Sequence, residues 1–155
     1  MKNYVIAHDL GTTGNKATLF DAEGQLCGSA FYAYGTDYAR TSWAEQNPED
    51  WWQAVCSSTR ALLNQAHVDK HDIACITFSG QMMGCVPLDA QARPLRNAII
   101  WADQRSVDQE QWLSERIDRA QVYRITGHRL SASYSLCKML WLRDHQPEIF
   151  AQTYK

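Results

Sequence analysis

No stretch of this chain is apolar for long enough to cross a bilayer, and the N-terminus lacks a basic start followed by an apolar run. A surplus of one charge is missing too: 15 Lys and Arg stand against 17 Asp and Glu, a net of −2. That balance offers no electrostatic footprint for nucleic acid or an anionic membrane. The five cysteines are odd in number and widely spaced, with no C-x-x-C pair. Such spacing argues against a disulfide framework or thiolate zinc site, and for reduced thiols used as small core residues. His67 and His71 lie four apart, but they straddle a helix end and have no evident third ligand. Neither G-x-x-x-x-G-K-[ST] nor G-x-G-x-x-G occurs, and there are no repeats, low-complexity tracts or linkers. What remains is the ordinary composition of a globular domain, expected in the cytoplasm, whose 155 residues can bury a real core.

Within that plain background, residues 4–21 stand out. An apolar run, Tyr4 to Ala7, delivers one carboxylate, Asp9, to a turn built from Gly11, Thr12, Thr13 and Gly14. A second strand-like run, Lys16 to Phe20, leaves it. Backbone N–H groups, two hydroxyls and an ammonium thus gather around one carboxylate, the groups that hold a metal–polyphosphate.

The pattern predicts strands over 3–9, 15–21 and 25–34, the last two joined by the turn Asp21-Ala-Glu-Gly24, hence an antiparallel meander. A loop over 35–47 precedes a helix with Pro48 at its first position and Glu49 and Asp50 in its first turn. That helix runs to about His67 with Trp51, Ala54, Val55, Ser58, Leu62 and Leu63 as its apolar stripe. Asp72 to Phe78 reads as a buried strand ending in Ser79-Gly80-Gln81-Met82-Met83-Gly84, and strands over 84–89 and 97–101 follow. Helical patterns cover 103–116, 118–124 and 133–144, and another helix starts at Pro147. Strands first, then alternating helix and strand, give a mixed α/β domain.

Five blocks carry a resemblance. Asp9-Leu-Gly-Thr-Thr13 with Lys16 resembles the first phosphate motif of the actin, Hsp70 and sugar-kinase superfamily. Trp43-Ala-Glu45-Gln46-Asn-Pro48-Glu-Asp-Trp51-Trp52 resembles the E-Q-x-P-x-x-W segment of FGGY carbohydrate kinases. Ser79 to Gly84 with Leu88-Asp89 is similar to their S-G-Q-M-x-G…L-D strand–loop, and Pro94 to Arg105 to their P…A-I-x-W-x-D-x-R element. Ile125-Thr126-Gly127 with Lys138-Met-Leu-Trp141-Leu142 and Pro147-Glu148 is similar to the segment that follows. The flavour is xylulokinase-like.

The resemblance implies an RNase H-like fold whose mixed sheet is opened by a three-stranded antiparallel meander and flanked by helices. It makes residues 1–155 the N-terminal part of the first of two such domains. The implied activity is transfer of the γ-phosphoryl of ATP, with Mg²⁺, to a hydroxyl of a ketose or polyol. Asp9 acts on Mg²⁺ through water, and Gly11, Thr12, Thr13 and Lys16 serve the phosphates. Gln81, Met82, Met83, Trp101, Asp103, Arg105 and Tyr134 serve the sugar. Met83 stands where xylulokinase-like proteins usually place histidine, and Gly14 where serine is more common. The general base, an Asp, and the adenine site are expected beyond Lys155, so these residues alone are expected to be inactive. A sugar or polyol is the expected partner, with neither nucleic acid nor membrane, and a homodimer of the full-length protein is the assembly considered. Rival readings are an RNase H-like nuclease, disfavoured by the absent basic patch, and a non-catalytic actin/Hsp70-type nucleotide-binding module, disfavoured by the two sugar-side blocks.

Overall fold

Tyr4, Ile6 and His8 alternate with Val5, Ala7 and Asp9 along β1 (Tyr4–Leu10), and only the first set is buried. A computed structural model describes residues 3–155. In it β1 pairs antiparallel with β2 (Gly14–Phe20), which pairs antiparallel with β3 (Leu26–Ala33), forming the expected meander. The turn after β2 is held by Asp21, whose Oδ1 accepts from the N–H groups of Glu23 and Gln25.

The connection to the fourth strand is β4 (Glu45–Gln46), then helix α1 (Pro48–Ala66), then a 3-10 turn at Lys70–Asp72. Proline at the first helical position and two acids in the first turn start α1 as expected. It stops at His67, whose φ of 53° is left-handed, while the Val68 N–H returns to Leu63 O at 3.2 Å. Strand β5 (Ile73–Gly80) then lies parallel to β1, giving the sheet order β3-β2-β1-β5. A parallel neighbour needs a long crossover, which α1 supplies. The helix buries Ala54, Val55, Ser58 and Leu62, and Leu62 joins Tyr4, Ile6, Ala17, Leu19 and Ala30 in one apolar core. Each such fully buried aliphatic side chain contributes roughly 1.5–3 kcal/mol.

By compactness the chain divides into two units. The first runs up to Thr36 and includes Glu49–Gln81; the second is Asp37–Pro48 with Met82–Lys155. In the second, β4 pairs antiparallel with β6 (Ala98–Ile99), and four helices follow: α2 (Val107–Ser114), α3 (Arg119–Thr126), α4 (Ser135–His145) and α5 (Pro147–Gln152). Its cores are Cys85, Ile99 and Trp141 with Trp43, and Leu113, Leu130 and Cys137 with Leu140. No helix among the described residues is long and apolar enough to cross a membrane.

Three expectations need correction. The strand expected to be buried over 72–78 forms as β5 but is exposed from Ala74 onward, because it lies at the edge of the sheet. The strand over 84–89 does not form; only isolated bridges, Cys85 with Ile99 and Leu88 with Pro94, occur there. Prolines 87 and 94 have no N–H to offer, so a continuous ladder cannot extend through them. The helix expected from Asp103 starts four residues later, because the Asp103 carboxylate accepts from the Arg105 N–H and closes a local turn instead.

Candidate active site

In the first unit, Asp9 and Lys16 are directly paired across the β1–β2 ladder, and both are exposed. Directly opposed residues of a ladder share a face, so a carboxylate and an ammonium stand side by side at the strand end. Between them the chain reverses through Gly11 to Gly14, closed by the Gly11 N–H donating to Gly14 O at 3.0 Å. Tyr34 pins this reversal from β3's end: its hydroxyl donates to Gly11 O at 2.5 Å, and its N–H to Thr13 O at 3.2 Å. Burial, followed by the nearby Asp9 charge, pushes the Tyr34 phenol up to about 12, so it remains a donor.

The steric need for glycine in this turn falls on one position. A Cβ on Gly14 would stand 2.6 Å from Tyr32 O and 2.4 Å from the Phe31 ring. One on Gly11 would meet only Gly14 O, at 3.5 Å, an ordinary contact.

Beneath the same turn, on the α1 side, lies a buried polar chain. Asn15 Nδ2 donates to Ser58 Oγ at 2.7 Å and lies 3.0 Å from His8 Nδ1, while His8 Nε2 is 3.3 Å from Thr59 Oγ1. Thr59 Oγ1 already donates to Val55 O. The pattern closes with a neutral imidazole carrying its proton on Nε2. Burial lowers the His8 pKa, and the Asn15 bond opposes this only in part. The His8 ring stacks on Phe78 of β5 at 5.0 Å, and the Gln81 N–H continues the parallel pairing by donating to Leu10 O.

The second unit holds a pocket of about 450 Å³, lined by Met82, Met83, Val122, Leu130, Tyr134 and Leu136 among others. Met82 is 73% exposed at its mouth. Met83 has φ of 63°, a left-handed conformation that costs a non-glycine residue on the order of 1 kcal/mol. Two side chains of α4 hold the backbone there: Lys138 Nζ donates to Met83 O at 2.9 Å, and Ser135 Oγ to Gly84 O at 2.8 Å. Lys138 also donates to Ser133 O, beside Tyr134. It is fully buried, and desolvation lowers its pKa to about 8 against the pull of Asp103.

Trp101 is 42% exposed. Asp103 and Arg105 do not match the sugar-contact role that the resemblance implies. Asp103 is fully buried; its Oδ2 accepts from the Ala44 N–H at 2.7 Å, and both its oxygens accept from Arg105. The Arg105 guanidinium lies 3.7 Å from the Trp43 ring centre and 4.8 Å from that of Trp141, and its Nη1 is 2.7 Å from Glu45 Oε1. Glu45 also pairs with Arg96. Both side chains are consumed by this interlock, which ties β4 to the segment after β6.

This architecture has relatives. The model of the FGGY family of carbohydrate kinases, N-terminal domain, matches residues 4–155. The chain belongs to this family. It is 37% identical over 150 residues to a xylulose kinase of Bacillus subtilis (strain 168), covering 97% of this chain and 30% of that protein. It is 34% identical over 155 residues to a gluconokinase of Bacillus licheniformis, covering all of this chain and 30% of the other. Among solved structures, a xylulose kinase from Brucella ovis superposes with a TM-score of 0.91 at 31% identity, over 98% of this chain and 31% of that one. The α/β fold of the actin and sugar-kinase type is therefore established, and the chain spans about 30% of the length of these curated relatives.

Within this FGGY chain, sequence reasoning located the Asp9–Lys16 turn and the Met82–Met83 loop but gave Lys138 no role beyond membership of a motif. A lysine between Cys137 and Met139 on a helix reads as solvated by default. Its burial depends on residues some fifty positions away, such as Met83. Tyr34 was missed for the same reason: its partner, Gly11, is 23 residues distant.

Proposed function

We propose that the protein carrying this chain transfers the γ-phosphoryl of Mg·ATP to a hydroxyl of a sugar or polyol. The observation that carries this reading is the exposed Asp9–Lys16 pair flanking the Gly11–Gly14 reversal, in a chain of the FGGY family. A single accessible carboxylate suits Mg²⁺, which keeps most of its waters and takes few protein ligands. When bound, the ion would neutralise charge on the phosphates; Asp9 is the residue to hold it, through water. Thr12 and Thr13 would donate to phosphate oxygens, Gly11 would leave room for the backbone to approach closely, and Lys16 would offset charge developing on the transferred group. On the sugar side, Trp101 offers an aromatic face, while Gln81, Met82, Met83 and Tyr134 supply wall and polar contacts. Asp103 and Arg105 act here as the scaffold behind Trp101.

The test uses the full-length protein with D-xylulose, D-gluconate and glycerol, assayed for thermal protection and for ATP turnover. One of the three is expected to stabilise the protein and to support turnover. Asp9→Asn should lower that turnover by about 100-fold or more while the sugar's thermal shift persists. Protection by ATP with no response to any sugar would overturn the proposal.

A further inference from the structure

Helix α4 carries one charged side chain that is sealed from solvent, Lys138. Burying an ammonium is costly unless its donors are met, and an apolar side chain of similar length would pack there more cheaply. Among the described residues Lys138 makes no ion pair. The neighbouring carboxylate, Asp103, is already engaged by Arg105. Its donors go instead to two backbone carbonyls, Met83 O and Ser133 O. Both carbonyls adjoin the 450 Å³ pocket: Met83 lines it, and so does Tyr134, which follows Ser133.

Two further facts make this more than packing. Met83 is held at φ of 63°, where only glycine rests without strain, so something must stabilise that backbone. The adjacent carbonyl, Gly84 O, is held by Ser135, three residues before Lys138 on the same helix face. One face of α4 thus grips two successive carbonyls of the loop. The burial that lowers the Lys138 pKa to about 8 agrees with this placement, and Asp103, Cys85, Cys137 and Arg105 are the titratable groups around it.

We propose that Lys138 is a positioning residue for the sugar site: it ties the strained Met83 backbone to the Ser133 carbonyl beside Tyr134, and so fixes the spacing of two residues that line the pocket. The proposal rests on the kinase reading above. Lys138 touches no substrate; it acts through Met83 and Tyr134.

The experiment compares full-length wild type, Lys138→Met, Met83→Gly and the double variant, using whichever of D-xylulose, D-gluconate and glycerol gives the wild type its best turnover. K138M keeps the volume and loses the donors. It is expected to raise the sugar KM by about 10- to 100-fold while the KM for ATP stays within about threefold. Glycine at 83 adopts the left-handed conformation unaided, so in the M83G background K138M should raise the sugar KM by less than about threefold. An unchanged sugar KM, a parallel loss for sugar and ATP, or an equal effect in both backgrounds would refute the positioning role. If K138M does not fold, Ser135→Ala removes only the Gly84 tether: a sugar KM raised about threefold with ATP unaffected supports the grip, and no change refutes it. A wild type that turns over with none of the three sugars would remove the kinase reading itself, an outcome separate from all of these.

Discussion

At Gly14 the backbone of β3 comes so close that a Cβ would sit 2.6 Å from Tyr32 O, which cannot rotate away as a side chain could. Gly14→Ser should therefore destabilise this chain by about 1–3 kcal/mol, whereas Gly11→Ser, with 3.5 Å to its nearest neighbour, should cost less. Thermal melts of the two variants check the order; a more stable G14S would show that the turn relaxes freely. His8, buried on β1, gives a pH prediction. Its folded pKa lies below the usual value of about 6.5, so beneath that pH the unfolded chain takes up a proton that the folded chain resists. Stability is thus fully present above about pH 6.5 and declines as pH falls towards the lower folded value. In His8→Gln the slope between pH 7 and 5.5 should flatten relative to wild type; identical slopes would show that His8 is not responsible. Neither residue's environment could be read from the sequence, because both depend on partners brought in by other elements: Tyr32 for Gly14, Ser58 and Thr59 for His8 through Asn15 and directly.

Elements that carry their own signals were readable. β1, β2 and β3 alternate or end at Asp21–Gly24, α1 opens on Pro48, and the observed bounds differ from the expected ones by a residue or two. Elements made by pairing alone were not. β4 is two residues long, too short for any period, and exists because Glu45 pairs with Ile99 and because its carboxylate meets Arg96 and Arg105. The same interlock takes up Asp103 and Arg105, which the resemblance assigned to the sugar: they close on one another and on Glu45, which belongs to a different motif. Buried charge of this kind specifies which segments meet more than it adds stability. Residue type was a sound guide to accessibility at Asp9, Lys16 and Met82, which are all exposed. It was misleading where like chemistry serves structure.

For the whole molecule the decisive fact is what phosphoryl transfer requires compared with what these residues supply. Transfer needs an acceptor hydroxyl in line with the γ-phosphoryl, a group to take its proton, and electrostatic stabilisation of the transferring charge. The first unit holds one exposed carboxylate, one exposed ammonium and the turn between them; the second holds a pocket of about 450 Å³ and, apart from its lining, the part-exposed Trp101. Among the described residues, no group of three or more His, Cys, Asp or Glu could hold a metal on its own. Asp103 is locked to Arg105, and His8 is buried with both ring nitrogens engaged by Asn15 and Thr59, so neither is placed to accept a proton from a bound hydroxyl. The chain also spans about 30% of the relatives it matches. The expected outcome is that residues 1–155 expressed alone melt cooperatively yet give no sugar-dependent ATP turnover above buffer, while the full-length protein turns over. A coupled ADP-release assay with the same three sugars measures both. Turnover by the short chain would mean that a proton acceptor lies within these residues, and Asp9 would then be the first side chain to test in that role.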